Sequence, residues 1–144
     1  MKQSLYDTDY YAWSNQQAAL LRAGKLSEAD IENIAEEIES MGKGEKRELV
    51  NRLRVLMLHL LKWQFQPNMR GPSWQVTIKS QRIDLARHMK DNPSLKSQIA
   101  DAVEWAFEGA RLEAMIETGL AEDAFPQKCP WTFAQMTDAN FWPD

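Results

Sequence analysis

The stretch KGEKRELVNRLRVLMLHLLKWQF, Lys43 to Phe65, decides the fold. Leu49, Leu53, Leu56, Leu60 and Trp63 recur in a three-four rhythm, and Val50, Met57, Leu58 and Leu61 widen that stripe to most of the circumference. A helix apolar nearly all round has to be surrounded by partners. This segment therefore reads as the central helix of an all-α, single-domain bundle. Its remaining polar strip is Arg52, His59, Lys62 and Gln66, with Glu45 and Glu48 upstream.

Outward from this centre the chain reads as helices separated by short punctuation. Upstream, Ser27 is an N-cap, with Asp30 at the third helical position and a staple between Leu26 and Ile31. The helix over 28–41 carries Ile31, Ile34, Ile38 and Met41 as its core stripe, and Gly42 ends it in a left-handed residue. A first helix over about 8–23 starts at Asp7 or Thr8, stops at Gly24, and turns Tyr6, Tyr10, Trp13, Leu20 and Leu21 inward. Downstream, a loop bounded by Pro67 and Pro72 leads to a helix over 74–90 capped by Ser73. Asn92-Pro93 opens a helix over 94–118, stopped by Gly119, in which Ala102, Ala106, Ala110 and Ala114 recur every fourth residue and invite close approach. Residues 119–144, rich in aromatics and proline, read as an extended tail laid across the bundle, five helices in all.

Size and composition agree with this picture. A chain of 144 residues can bury a core without staples. The single Cys129 excludes an internal disulfide and, with no signal segment at Met1–Tyr10, points to the cytoplasm. The longest apolar run, Val55–Leu61, is far too short to span a membrane, so no membrane partner is expected. One Cys and two His cannot build a structural zinc site of the usual kind, and no metal or cofactor is expected.

Charge is partitioned. Residues 42–90 hold eleven Lys or Arg against three acids, a net +8, between flanks of −5 (1–41) and −7 (91–144) within a total of −4. A positive segment between negative ones either pairs internally or faces an anionic partner. Lys62, Trp63, Arg70, Trp74, Lys79 and Arg82 surround one short loop, where Lys and Arg could hold phosphates while Trp stacks on a base. An internal role for the same residues is the preferred reading, because the chain is acidic overall. Weaker catalytic candidates are His59, a general base if tuned by burial, and Glu36 and Glu37, which could join it around a metal. The Glu-x-x-His pairs of helical-bundle metal sites are missing, so an acidic solvated face and a packed histidine are preferred here too.

An ordered set of motifs carries a resemblance. Leu5-Tyr6-Asp7-Thr8-Asp9-Tyr10-Tyr11-Ala12-Trp13 is followed by Ile34-Ala35-Glu36-Glu37-Ile38-Glu39-Ser40-Met41-Gly42, then His59-Leu60-Leu61-Lys62-Trp63, Ser73-Trp74-Gln75-Val76-Thr77-Ile78 with Gln81-Arg82, Pro93-Ser94-Leu95, and Phe125-Pro126 with Cys129-Pro130. Together these resemble the bacterial family known as domain of unknown function twenty-nine, over nearly the whole chain. The resemblance implies a small bacterial cytoplasmic helical protein and supplies no reaction, ligand or catalytic residue. The expectation is an uncharacterised, non-catalytic interaction module that forms a homo-oligomer or binds a protein partner. Nucleic-acid binding, or metal-dependent cleavage, through residues 43–90 is the alternative.

Overall fold

The computed structural model describes residues 4–144, and they form an all-α structure with no strand among them. Two compact units divide it, Met1–Gly44 and Glu45–Asp144.

The amino-terminal unit is a helical hairpin. Helix α1 (Leu5–Thr8) is separated from α2 (Tyr10–Arg22) by Asp9, whose side chain accepts the Ala12 N–H at 3.0 Å and caps α2. The single first helix expected over 8–23 is thus two, because Asp9 caps more effectively than Asp7 or Thr8. Gly24 ends α2 as expected, with a φ of 71°. Ser27 does not cap. It lies in a 3-10 turn, Leu26–Glu28, and helix α3 (Ile31–Phe65) starts after Asp30 instead. Asp30 has more to offer: its carboxylate accepts the Asn33 amide at 2.8 Å and the Trp13 indole N–H at 3.1 Å, and its backbone N–H donates to Gln17 at 2.6 Å. One residue therefore caps α3 and ties it to α2.

Helix α3 corrects a second expectation. Gly42 does not end a helix; α3 is continuous for 35 residues, with Gly42 and Gly44 inside it. Among the described residues only Gly24 and Gly119 have positive φ. A glycine stops a helix when the sequence after it cannot resume one, and here Lys43, Glu45, Lys46 and Arg47 are strong helix formers. The penalty of about 1 kcal/mol per interior glycine is small beside the burial of the leucines downstream.

The carboxy-terminal unit holds the main core. Leu49, Leu53, Leu56, Met57, Leu60 and Leu61 of α3 are fully buried, as the rhythm of the stretch requires. Ile78 and Leu85 come from α4 (Pro72–Asp91), which starts at Pro72 after Gly71, one residue before the expected cap Ser73. A 3-10 segment, Pro93–Gln98, leads into α5 (Ile99–Thr118), and Gly119, φ 72°, stops it as expected. Ala102, Ala106, Ala110 and Ala114 are fully buried, so the small-residue face is consumed inside this unit. The tail is not wholly extended: Thr132 and Gln135 form a reciprocal capping box for a short helix, α6 (Phe133–Thr137). Phe125, Trp131 and Met136 are buried, and Phe141 and Trp142 pack against the core. No helix of the described residues is long and apolar enough to cross a membrane.

Candidate functional site

Five members of the basic and aromatic set around the 66–71 loop, Lys62, Trp63, Arg70, Trp74 and Arg82, are linked through ring contacts and engaged by protein. Arg82 is buried at 5 % exposure. Its guanidinium donates to the Met136 carbonyl at 2.7 Å and the Phe141 carbonyl at 2.6 Å, and lies over the Trp142 ring. Arg70 donates to the Trp63 carbonyl at 2.7 Å and stacks on that residue's ring, while Trp63 and Trp142 rings lie 4.7 Å apart. Lys62 pairs with Glu117 at 3.1 Å and sits over Trp74. Lys79 is exposed and, among the described residues, has no such partner. Three of the four cations thus bind carbonyls, rings or a carboxylate, and two of them fasten the carboxy-terminal tail, Arg82 as above and Arg70 through the Pro143 carbonyl at 3.5 Å.

His59 and the two acidic candidates are also accounted for locally. His59 Nδ1 meets the Val55 carbonyl at 2.8 Å, and burial pulls its pKa down, which keeps it neutral. Glu37 accepts hydrogen bonds from the Tyr10 and Tyr6 hydroxyls, which lower its pKa, and the bond to Glu37 pushes Tyr6 up to about 12. Tyr6, Tyr10 and Trp13 form an aromatic cluster with centroids 4.6–5.9 Å apart. Glu36 has no such role and lies exposed on α3.

A different histidine meets carboxylates. His88, near the end of α4, is 7 % exposed, and its Nδ1 lies 3.3 Å from a Glu48 oxygen and 3.7 Å from a Glu45 oxygen. Among the described residues this is the one group of three such ligands gathered within 4.8 Å. Sequence reasoning passed over it. The signal was the Glu45-x-x-Glu48 spacing, which puts both carboxylates on one face of α3, but only the packing of α4 on α3 brings His88 to that face.

The hairpin of the amino-terminal unit leaves an apolar stripe uncovered. Ile31, Ile38 and Met41 are 52, 63 and 70 % exposed, and Leu26 on the preceding turn is 60 % exposed. The expectation that this stripe faces inward fails for a physical reason. The side of α3 that meets α1 and α2 is the one bearing Asp30, Asn33 and Glu37, and the hairpin closes on their hydrogen bonds with Trp13, Gln17, Tyr6 and Tyr10. The isoleucines lie beside that polar seam.

No curated protein and no solved structure matches the chain. A family model does: the one described as Domain of unknown function DUF29 matches residues 5–142. The tyrosine–glutamate hairpin, the central helix and the strapped tail all lie inside that match, and the chain belongs to the DUF29 family.

Proposed function

We propose that the chain is a non-catalytic interaction module that associates with a second copy of itself through the isoleucine face of its amino-terminal unit. The observation that carries this reading is the exposure of Ile31, Ile38 and Met41 in a stripe spaced three, four, three with Ile34. That spacing is the a/d seam of a coiled coil, and such a seam is complementary to itself. The unit also needs help. Among its described residues, 4–44, only Trp13 and Gln17 are buried, and domains of this size commonly rely on oligomerisation.

Magnitudes favour a weak, concentration-dependent dimer. Six such side chains, three per copy and each 52–70 % exposed, contribute roughly 1–2 kcal/mol each when that remainder is buried. Association costs about 4–15 kcal/mol in lost freedom. A modest surplus remains, suited to reversible contact. The alanine face of α5 cannot serve, since it is buried within the chain. Nucleic-acid binding has less support, because Arg82, Arg70 and Lys62 are engaged by the tail, by Trp63 and by Glu117.

Sedimentation velocity over a dilution series tests the proposal. The expected result is a dimer that dissociates on dilution, and a monomer at every concentration for Ile38→Glu with unchanged helicity. A wild-type monomer throughout, or an Ile38→Glu chain that dimerises as before, would overturn it.

A further inference from the structure

The cluster on α3 and α4 carries an inference independent of self-association. His88 Nε2 lies 2.9 Å from the Glu45 backbone carbonyl. A carbonyl only accepts, so Nε2 carries the proton and Nδ1 is free to offer its lone pair. Nδ1 lies within 3.7 Å of both carboxylates. Glu48 is held from behind: Arg52 donates to its other oxygen, Oε1, through Nε at 3.1 Å and Nη2 at 2.8 Å, and Arg52 is itself braced by Asp84 at 3.1 Å. Asn92 donates to Glu45 Oε2 at 3.4 Å.

Three electron-rich atoms lie within 4.8 Å of one another, an arrangement that favours a positive charge between them beyond that of Arg52 behind Glu48. A proton on Nδ1 would satisfy the charge, but a charge-assisted hydrogen bond closes to about 2.7–2.9 Å, shorter than the 3.3 and 3.7 Å seen here. The 3.3 Å separation from Glu48 instead suits neighbouring ligands of one ion: bonds of about 2.0–2.2 Å to nitrogen and oxygen, at tetrahedral or octahedral angles, place adjacent ligand atoms roughly 3.0–3.5 Å apart, and Glu45 at 3.7 Å needs only a small side-chain shift to join them. Two of the three ligands have their remaining polar atom held, His88 Nε2 by the Glu45 carbonyl and Glu48 Oε1 by Arg52, the arrangement that orients metal ligands elsewhere, while Asn92 reaches Glu45 through Oε2, the oxygen that faces His88. The cleft beside the cluster, about 380 Å³, is lined by Arg87, Asp91 and Asn92 and leaves room for water at further coordination positions.

We propose that Glu45, Glu48 and His88 form a binding site for a divalent transition-metal ion. One imidazole and two carboxylates suit Zn²⁺ or Mn²⁺, and Zn²⁺ binds the tighter of the two. Ca²⁺, which takes six to eight oxygens, is poorly served. The ion clamps α3 to α4 and neutralises both carboxylates. The count of Cys and His speaks only to structural zinc sites of the usual kind, whereas this donor set is two carboxylates and one imidazole.

The test is calorimetric titration of the full-length chain, stripped with chelator, with Zn²⁺ alone. One ion per chain is expected, together with a rise in the thermal unfolding midpoint. Glu48→Gln and Glu45→Gln should each weaken binding about tenfold or more. Both carboxylates are partly exposed, so these variants should fold, and circular dichroism verifies that. His88→Gln is expected to abolish binding. With Co²⁺ as the probe, the wild type should show ligand-field absorption that Glu48→Gln lacks. Absence of saturable Zn²⁺ binding would overturn the proposal and leave the three side chains as a packing contact between α3 and α4. One-to-one binding unchanged in Glu45→Gln and Glu48→Gln would overturn it equally, because the ion would then sit elsewhere.

Discussion

Replacing Arg82 with Met should release the carboxy-terminal tail before the rest of the protein unfolds. The side chain is buried and spans two carbonyls, of Met136 and Phe141, with Trp142 over its guanidinium. Hydrogen bonds from a charged donor contribute about 1.5–3 kcal/mol each, and the ring contact adds roughly 0.5–1 kcal/mol. Against this, Arg82 Nη1 is buried with no partner, an orphan donor costing about 1–3 kcal/mol that Met would relieve. The balance is a loss of roughly 2–4 kcal/mol, a sizeable share of a typical total of about 5–15 kcal/mol. Arg82→Lys should recover only part, since an ammonium lacks the planar fork that reaches both carbonyls. Urea denaturation would give the loss, and limited proteolysis would locate it at Phe133–Trp142. A loss below about 1 kcal/mol, with the tail as protected as before, would refute the view that this arginine fastens the strap.

Other outcomes follow from the same contacts. Gly42→Ala should stabilise the protein by about 0.5–1 kcal/mol, since Gly42 is helical with open space around its Cα; destabilisation in thermal melts would mean α3 is not continuous there. Ala110→Leu should destabilise by about 1–3 kcal/mol through overpacking, because Ala110 is fully buried, and chemical denaturation measures it. The hairpin should lose stability at both pH extremes. Glu37 is lowered from an ordinary 4.5, so its contribution is intact above that value and is lost as pH falls through the folded-state pKa. Tyr6 is raised from 10.0 to about 12, so its contribution is intact below 10.0 and is lost as pH rises through about 12. Tyr6→Phe should flatten both limbs in pH-dependent melts, and unchanged limbs would count against the Tyr6–Glu37 bond. Cys129, whose pKa burial raises and whose Sγ meets the Trp131 carbonyl at 3.3 Å, should react slowly with alkylating reagents in the native state and rapidly in urea.

Much of the fold was legible because local rules and tertiary packing agree there. The leucine rhythm of Leu49–Leu61, the stop at Gly119 and the alanine face of α5 all read correctly. The misreadings share one cause, a local signal outweighed by a stronger one nearby. Gly42 looked like a helix end, but the helix formers after it and the buried leucines beyond carry α3 through. Ser27 looked like a cap, but Asp30 satisfies more donors. The isoleucine stripe of α3 looked like core because apolar residues at helical spacing usually are. What no single-chain pattern reveals is that the facing side of that hairpin is polar, closed by Glu37 and Asp30. The site residues were legible only as types. Arg70, Arg82, Trp63 and Trp74 do gather, yet their partners include carbonyls of residues 136 and 141, some sixty positions downstream. His88 was silent because its two glutamates lie on another helix.

Hydrogen–deuterium exchange of residues 31–41 at low and high protein concentration tests the central claim of self-association most directly. If the isoleucine face pairs with a second copy, protection of this segment rises with concentration while that of Leu53–Leu61 stays constant. Protection of residues 31–41 that is the same at every concentration would contradict the claim and leave the stripe as a free surface.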